Sequence, residues 1–204
     1  WMYNFREAYV QDGKEVRPIV YNVANFTKPT ADTPSLLTID EVQTLFHEFG
    51  HALHGMLTRC HYPSVSGTSV ARDFVELPSQ INEHWATHPE VLKLYAKHYQ
   101  TGEIIPDSLI AKMEAASKFN QGFATTEFTN DYCAGYYSYI WAEVLDADAF
   151  DAFREHGIFD PATAKAFREN ILEKGGSEDP MKLYRQFRGA EPNPDALLRN
   201  RGLK

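Results

Sequence analysis

The sequence is short of several things, and each shortage excludes something. Of 204 residues only Cys60 and Cys133 are cysteines, too few for a disulfide framework, so a reducing compartment is expected. No apolar run approaches the ~20 residues of a membrane-crossing helix, and the opening "WMYNFREAYV" lacks the charged-then-apolar layout of a signal peptide. Together these point to the cytoplasm, with the periplasm as the alternative. Basic side chains are outnumbered, 20 Lys and Arg against 28 Asp and Glu, for a formal charge of −8. That deficit argues against nucleic acid and against anionic membrane surfaces as partners. Internal repeats and low-complexity segments are absent too.

What is present is an ordinary globular composition, 43% hydrophobic and 24% charged. Strand character is confined to the first 30 residues, where "RPIVYNVANF" alternates before the turn-rich "TKPTADTP". Residues 38–204 read as helical. Thr38 followed by Glu41 fits a capping box at the head of a helix running to about Thr58. A second helix is expected over Asp73–Trp85 with Pro78 in or near its first turn. Others are expected over Glu90–Tyr99 (closing at Gly102), Asp107–Lys118, Gly135–Glu155 and from near Pro194. Asp160-Pro161 and Asp179-Pro180 each place an N-cap before a proline, and Gly175 and Gly189 stand where C-caps belong. The fold class expected is mainly α with a small N-terminal β element, in one domain over residues 1–204.

The chemistry is concentrated in "TLFHEFGHALHGM", Thr44 to Met56. His47 and His51, spaced i and i+4, share one helical face and can address a single ion. Glu48 lies about 100° around from His47, near the same point without having to be a ligand. H-E-x-x-H is the signature of zinc peptidases, with the glutamate as general base. The bland alternative, a buried helix that happens to carry histidines, has a physical objection. Leu45, Phe46, Phe49, Ala52 and Leu53 flank the motif, and burying two imidazoles and a carboxylate without a partner costs several kcal/mol. A metal removes the objection. His54 lies too far along the axis from His47 to join them and is expected instead to make a hydrogen bond, either supporting a ligand or purely structural. A third protein ligand is required if one zinc position is to stay open. Asp73, Glu76 and Glu83 are candidates between which spacing does not choose. Tyr132, Tyr136 and Tyr139 fall at i, i+4 and i+7, a stripe more often plain core than site, although a phenol is a suitable donor to an oxyanion.

"FHEFGHALHGML", "SGTSVARDFVELPSQINEHWA" and "AGYYSYIWAEVLDADAF", in this order, closely resemble the M3 family of zinc oligopeptidases, the thimet oligopeptidase and oligopeptidase A family. The segments after Gly67 and the ending "KLYRQFRGAEPNPDALLRNRGL" are most similar to its peptidyl-dipeptidase branch. The resemblance implies a zincin-like catalytic domain holding one Zn2+ through His47, His51 and Glu76, with Glu48 as the catalytic glutamate. It also implies that Tyr132 and Tyr139 hydrogen-bond the tetrahedral intermediate and that Tyr136 stands in the substrate cleft. Short peptides would be the substrates, cut by peptidyl-dipeptidase or endopeptidase action.

Against that family the chain reads as a C-terminal catalytic portion, a fragment or miniature, with an internal deletion. "FNQGFATTEF" runs almost directly into "TNDYCAGYYSY", and Glu127 stands where the family's loop histidine would be, five before Tyr132. A second reading follows: a zinc-binding but silent truncated homologue, or one completed by a partner chain or by self-association through exposed apolar surface. Lys182, Arg185, Arg188 and Arg72 are candidates for capturing a substrate's free carboxylate.

Overall fold

The computed structural model describes residues 1–118, 135 and 137–204. It is mainly α-helical with a small β element at its start. β1 (Met2–Arg6) pairs antiparallel with β4 (Ile19–Asn22), placing Tyr3 opposite Tyr21 and Asn4 opposite Val20. Between them, β2 (Tyr9–Gln11) pairs with β3 (Lys14–Val16). Asp12 and Gly13, at φ 50° and 74°, supply the two left-handed residues that a tight hairpin needs.

α1 (Ile39–Leu57) starts at the expected capping box. The Glu41 amide donates to Thr38 Oγ1 and the Thr38 amide donates to Glu41 Oε2. Glu41 Oε1 also accepts from the Thr27 amide and hydroxyl, tying the incoming chain to the helix end. These donors hold the Glu41 carboxyl below the ordinary carboxylate range, Thr38 contributing most.

α2 (Leu77–Thr87) begins four residues later than expected, with Asp73–Glu76 in tight turns. Pro78 has no N–H, so the carbonyl of Phe74 cannot receive the regular i→i−4 bond and takes the Leu77 amide instead, at 3.1 Å. Glu76 therefore stands at the N-cap. α3 (Pro89–Tyr95) ends four residues earlier than expected. Gly102 closes a tight turn rather than a helix: its φ is 73°, its amide reaches the His98 carbonyl, and Lys97 bridges Ile104.

α4 (Asp107–Ser117), α5 (Tyr137–His156), α6 (Pro161–Phe167), α7 (Pro180–Arg188) and α8 (Asp195–Asn200) follow close to expectation. Asp160 and Asp179 cap α6 and α7 by accepting the Thr163 and Lys182 amides. Gly189 closes α7 in the left-handed conformation. After α6 the chain makes one wider π-type turn over Arg168–Leu172, and Glu173 is its C-cap, with Gly175 two residues beyond.

The core joins α2 to α5 and the C-terminal helices through Leu77, Ile81, Leu145, Phe150, Phe153 and Leu183. Trp85 meets Phe150 and Phe153 edge-on at 4.8 and 4.9 Å between ring centres, a favoured aromatic arrangement. Buried Tyr184 donates to Asp148 Oδ2 at 2.6 Å, so its phenol is satisfied. α1 packs its small side against the start of α2 while the β1–β4 ribbon lies against α1 elsewhere. Cys60 is a buried free thiol, and Cys133 lies outside the described residues. Among those residues no helix is long and apolar enough to cross a membrane.

Candidate metal centre

α1 places His47 and His51 one turn apart on its partly buried side, their rings edge to face with centres 4.9 Å apart. The loop after α1 turns back so that Glu76, at the head of α2, faces both imidazoles. Glu76 Oε2 lies 3.3 Å from His47 Nε2 and 3.2 Å from His51 Nε2. One donor atom from each residue falls within 4.8 Å of the others, the group among the described residues that can hold a metal ion. Asp73 is not part of it.

The distances suit a metal. Two zinc bonds of 2.0–2.2 Å at a tetrahedral angle separate their donor atoms by roughly 3.4 Å. The donor set, two imidazoles and one carboxylate, leaves a fourth position open. All three side chains are only partly exposed, at 21, 13 and 13% for His47, His51 and Glu76.

Electrostatics tell the same story. Burial resists a charge on His47, but the carboxylates of Glu76 and Glu83 outweigh it and raise the imidazole to about 9. Burial likewise favours the neutral acid at Glu76, yet hydrogen bonds from His47, His51 and Ser79 hold it well below the ordinary carboxylate range.

Two supporting contacts were not foreseen from the sequence. Glu83 was a candidate ligand; it sits instead on the far nitrogen of His47, with Oε1 2.7 Å from Nδ1. Ser79 donates its hydroxyl to Glu76 Oε2 at 2.9 Å. The signal for both was periodicity: Glu83 and Ser79 follow Glu76 by seven and three residues, the same face of a helix. His51 Nδ1 is buried with no hydrogen-bond partner among the described residues.

Glu48 follows His47 with its side chain 16% exposed and Oε1 3.6 Å from the nitrogen of Trp1. Tyr139 stands in the first turn of α5, where its carbonyl accepts from Gln80 on α2 at 3.5 Å. Tyr132 and Tyr136 lie outside the described residues. Lys182, Arg185 and Arg188 are engaged with Glu178, Glu191 and Glu155. Arg72 is exposed, four residues before Glu76.

Two expectations are corrected. His54 makes no structural hydrogen bond: it is fully buried and neither ring nitrogen has a partner among the described residues. Burial, reinforced by nearby His51, lowers it to about 3. Nor are the apolar flanks of the motif all covered, because Leu45 and Phe49 are 41 and 47% exposed. The core takes only one side of α1, represented by Phe46, Leu53 and Leu57.

Comparison with known proteins identifies the family. The profile of peptidase family M3 matches residues 1–130 and again 123–203, two pieces meeting where the internal deletion was expected. Dipeptidyl carboxypeptidase of Escherichia coli (strain K12) is 40% identical, across all of this chain and 37% of its own. Oligopeptidase A of the same organism is 41% identical, over 95% of this chain and 36% of its own. The probable cytosolic oligopeptidase A of Arabidopsis thaliana is 39% identical over the same shares. The first alignment takes 256 positions against the chain's 204 residues, so that relative has residues with no counterpart here. The chain spans a little over a third of the length of these relatives. With two histidines and a glutamate drawn together and the profile matched along nearly its whole length, the chain belongs to peptidase family M3.

Proposed function

We propose that this chain is the catalytic portion of a zinc-dependent metallopeptidase that hydrolyses short peptides. The observation that carries the reading is one carboxylate oxygen, Glu76 Oε2, standing 3.2–3.3 Å from the Nε2 atoms of both His47 and His51. His47, His51 and Glu76 would hold one Zn2+. Bound there, the ion would polarise the scissile carbonyl and lower the pKa of the attacking water toward ~7.

The chain's own groups do the rest. Glu48 takes a proton from the attacking water and returns it to the leaving amine. Tyr139 would donate its phenolic hydrogen to the oxygen on which charge develops; the family resemblance assigns the same task to Tyr132 and a substrate-binding role to Tyr136. The relatives' names, dipeptidyl carboxypeptidase and oligopeptidase A, support small peptides as substrates. Release of dipeptides from a C-terminus requires a cation for the free carboxylate. Arg72 suits that task better than Lys182, Arg185 or Arg188, which are paired with Glu178, Glu191 and Glu155. A cytoplasmic location accords with the Arabidopsis relative, which is named as cytosolic.

The exposed Leu45 and Phe49 beside the ligands favour one further reading, in which a second chain completes the substrate cleft. Light scattering during turnover separates the two: activity confined to a larger species supports completion. The main test is product analysis by mass spectrometry on a defined peptide. Products that vanish with chelator and return with zinc are expected. Stoichiometric zinc without cleavage, at every protein concentration tried, would sink the catalytic reading and leave a metal-binding remnant.

A further inference from the structure

We infer that Gly50 is a positioning residue, the spacer that lets α1 and α2 touch closely enough for Glu76 to reach both imidazoles. The inference rests on the zinc-site reading above. Gly50 is buried, three residues after His47 and one before His51. A Cβ at this position would stand 2.3 Å from the carbonyl oxygen of Pro78, 2.6 Å from Ser79 Cα and 2.9 Å from the Pro78 carbonyl carbon. All three are main-chain atoms, so no side-chain rotation makes room.

Ordinary contact begins near 3.4 Å, so a methyl group at residue 50 requires the two backbones to part by about 1 Å. Pro78 and Ser79 follow Glu76 by two and three residues, and Ser79 Oγ holds Glu76 Oε2 directly. The carboxylate must therefore move with them. Metal–ligand distances tolerate only about 0.2 Å, so the displacement is several times what the donor set allows. Gly55, also buried on α1, makes a control: a Cβ there meets Asn4 Oδ1 and Val20 Cγ2, side-chain atoms of the β1–β4 ribbon away from α2. Helix propensity by itself favours alanine at both positions, so a loss confined to residue 50 cannot arise from α1 alone.

The test is zinc affinity, by competition with a chromophoric chelator, for the full chain and for Gly50→Ala, Gly55→Ala, Glu76→Ala and Gly50→Ala/Glu76→Ala. Far-UV circular dichroism is recorded for each, and the visible spectrum of the Co2+ form reports ligand geometry. Gly50→Ala is expected to keep its helical signal, alter the Co2+ spectrum and bind zinc about 10- to 100-fold more weakly, the range seen when ligand orientation is lost. With Glu76 already removed, the same substitution should add nothing further, and Gly55→Ala should bind as the parent does. Unchanged affinity in Gly50→Ala overturns the inference. So does an equal loss in the Glu76→Ala background, or a collapse of the fold with or without zinc, since each makes Gly50 a packing residue only. A parent chain that binds no zinc overturns the zinc-site reading itself, and this inference with it.

Discussion

His47 is held between two carboxylates, with Nε2 3.3 Å from Glu76 and Nδ1 2.7 Å from Glu83. The second contact fixes the ring's orientation, and an anionic acceptor there makes the opposite nitrogen a stronger donor to a metal. Glu83→Ala should lower zinc affinity about 10- to 100-fold with the helical content unchanged. Equal affinity in a chelator competition would show that the packing of α1 orients the ring unaided.

Glu48 is assigned a proton-transfer role, not a ligand role. Glu48→Gln keeps the side-chain size and removes the base, so zinc stoichiometry should stay at one per chain. Turnover should drop by about 10²- to 10⁴-fold, the usual contribution of general base catalysis. The measurement is hydrolysis of a quenched fluorescent peptide beside metal analysis of the same sample. Near-parental turnover would remove Glu48 from the mechanism.

The raised value of His47, about 9 in the metal-free chain, sets the pH dependence of metal uptake. Below that pH a binding cation must displace the His47 proton. Apparent zinc affinity is expected to climb about tenfold per pH unit up to about pH 9, on account of this group. The same shift has the opposite consequence for the empty fold. A folded value above the ordinary 6.5 adds stability that is complete below 6.5 and lost as pH rises toward 9. Calorimetric titration in buffers of different ionisation enthalpy reads the released proton directly. No proton release between pH 6.5 and 8.5 would contradict the assignment.

His54 works in the other direction. Its folded value of about 3 lies below its ordinary 6.5, so across that window the unfolded chain carries a proton that the folded chain lacks. Stability is fully present above 6.5 and falls by about 1.4 kcal/mol per pH unit as acid is added. His54→Leu removes this group and is apolar at a site that offers no hydrogen bond among the described residues. From pH 6.5 to 5, in chelator, urea unfolding should show the variant losing about 2 kcal/mol less than the parent. Parallel pH profiles for the two would mean that His54 finds a partner.

Local chemistry made much of the architecture readable. The Thr38–Glu41 box, the Asp-Pro pairs before α6 and α7, and the glycine after α7 each act within four residues, and each stands where expected. Reading failed where the outcome depends on what the chain folds against. Pro78 was correctly placed in a first turn, but its missing N–H delays the start of α2 and turns Glu76 into a helix cap. Gly102 fits equally well at a helix end or in a turn, and the Lys97–Ile104 bridge decides for the turn. The two histidines were legible because a helix fixes i, i+4 spacing. Choosing Glu76 over Asp73 and Glu83 needed the path of an intervening loop, which spacing does not encode. Leu45 and Phe49 look like core residues by type, and only the one-sided packing of α1 shows that they are not.

All three donor residues sit in one helix–loop–helix unit, residues 39–87, and among the described residues none of the group comes from beyond it. A ribosome therefore delivers the entire cation-binding set before α5 has been made. Residues 58–76 join the two helices, and the entropy cost of closing such a loop grows only slowly with its length. On the zinc reading, an ion bound at that moment would tie α1 to α2 before the later helices exist to pack on them.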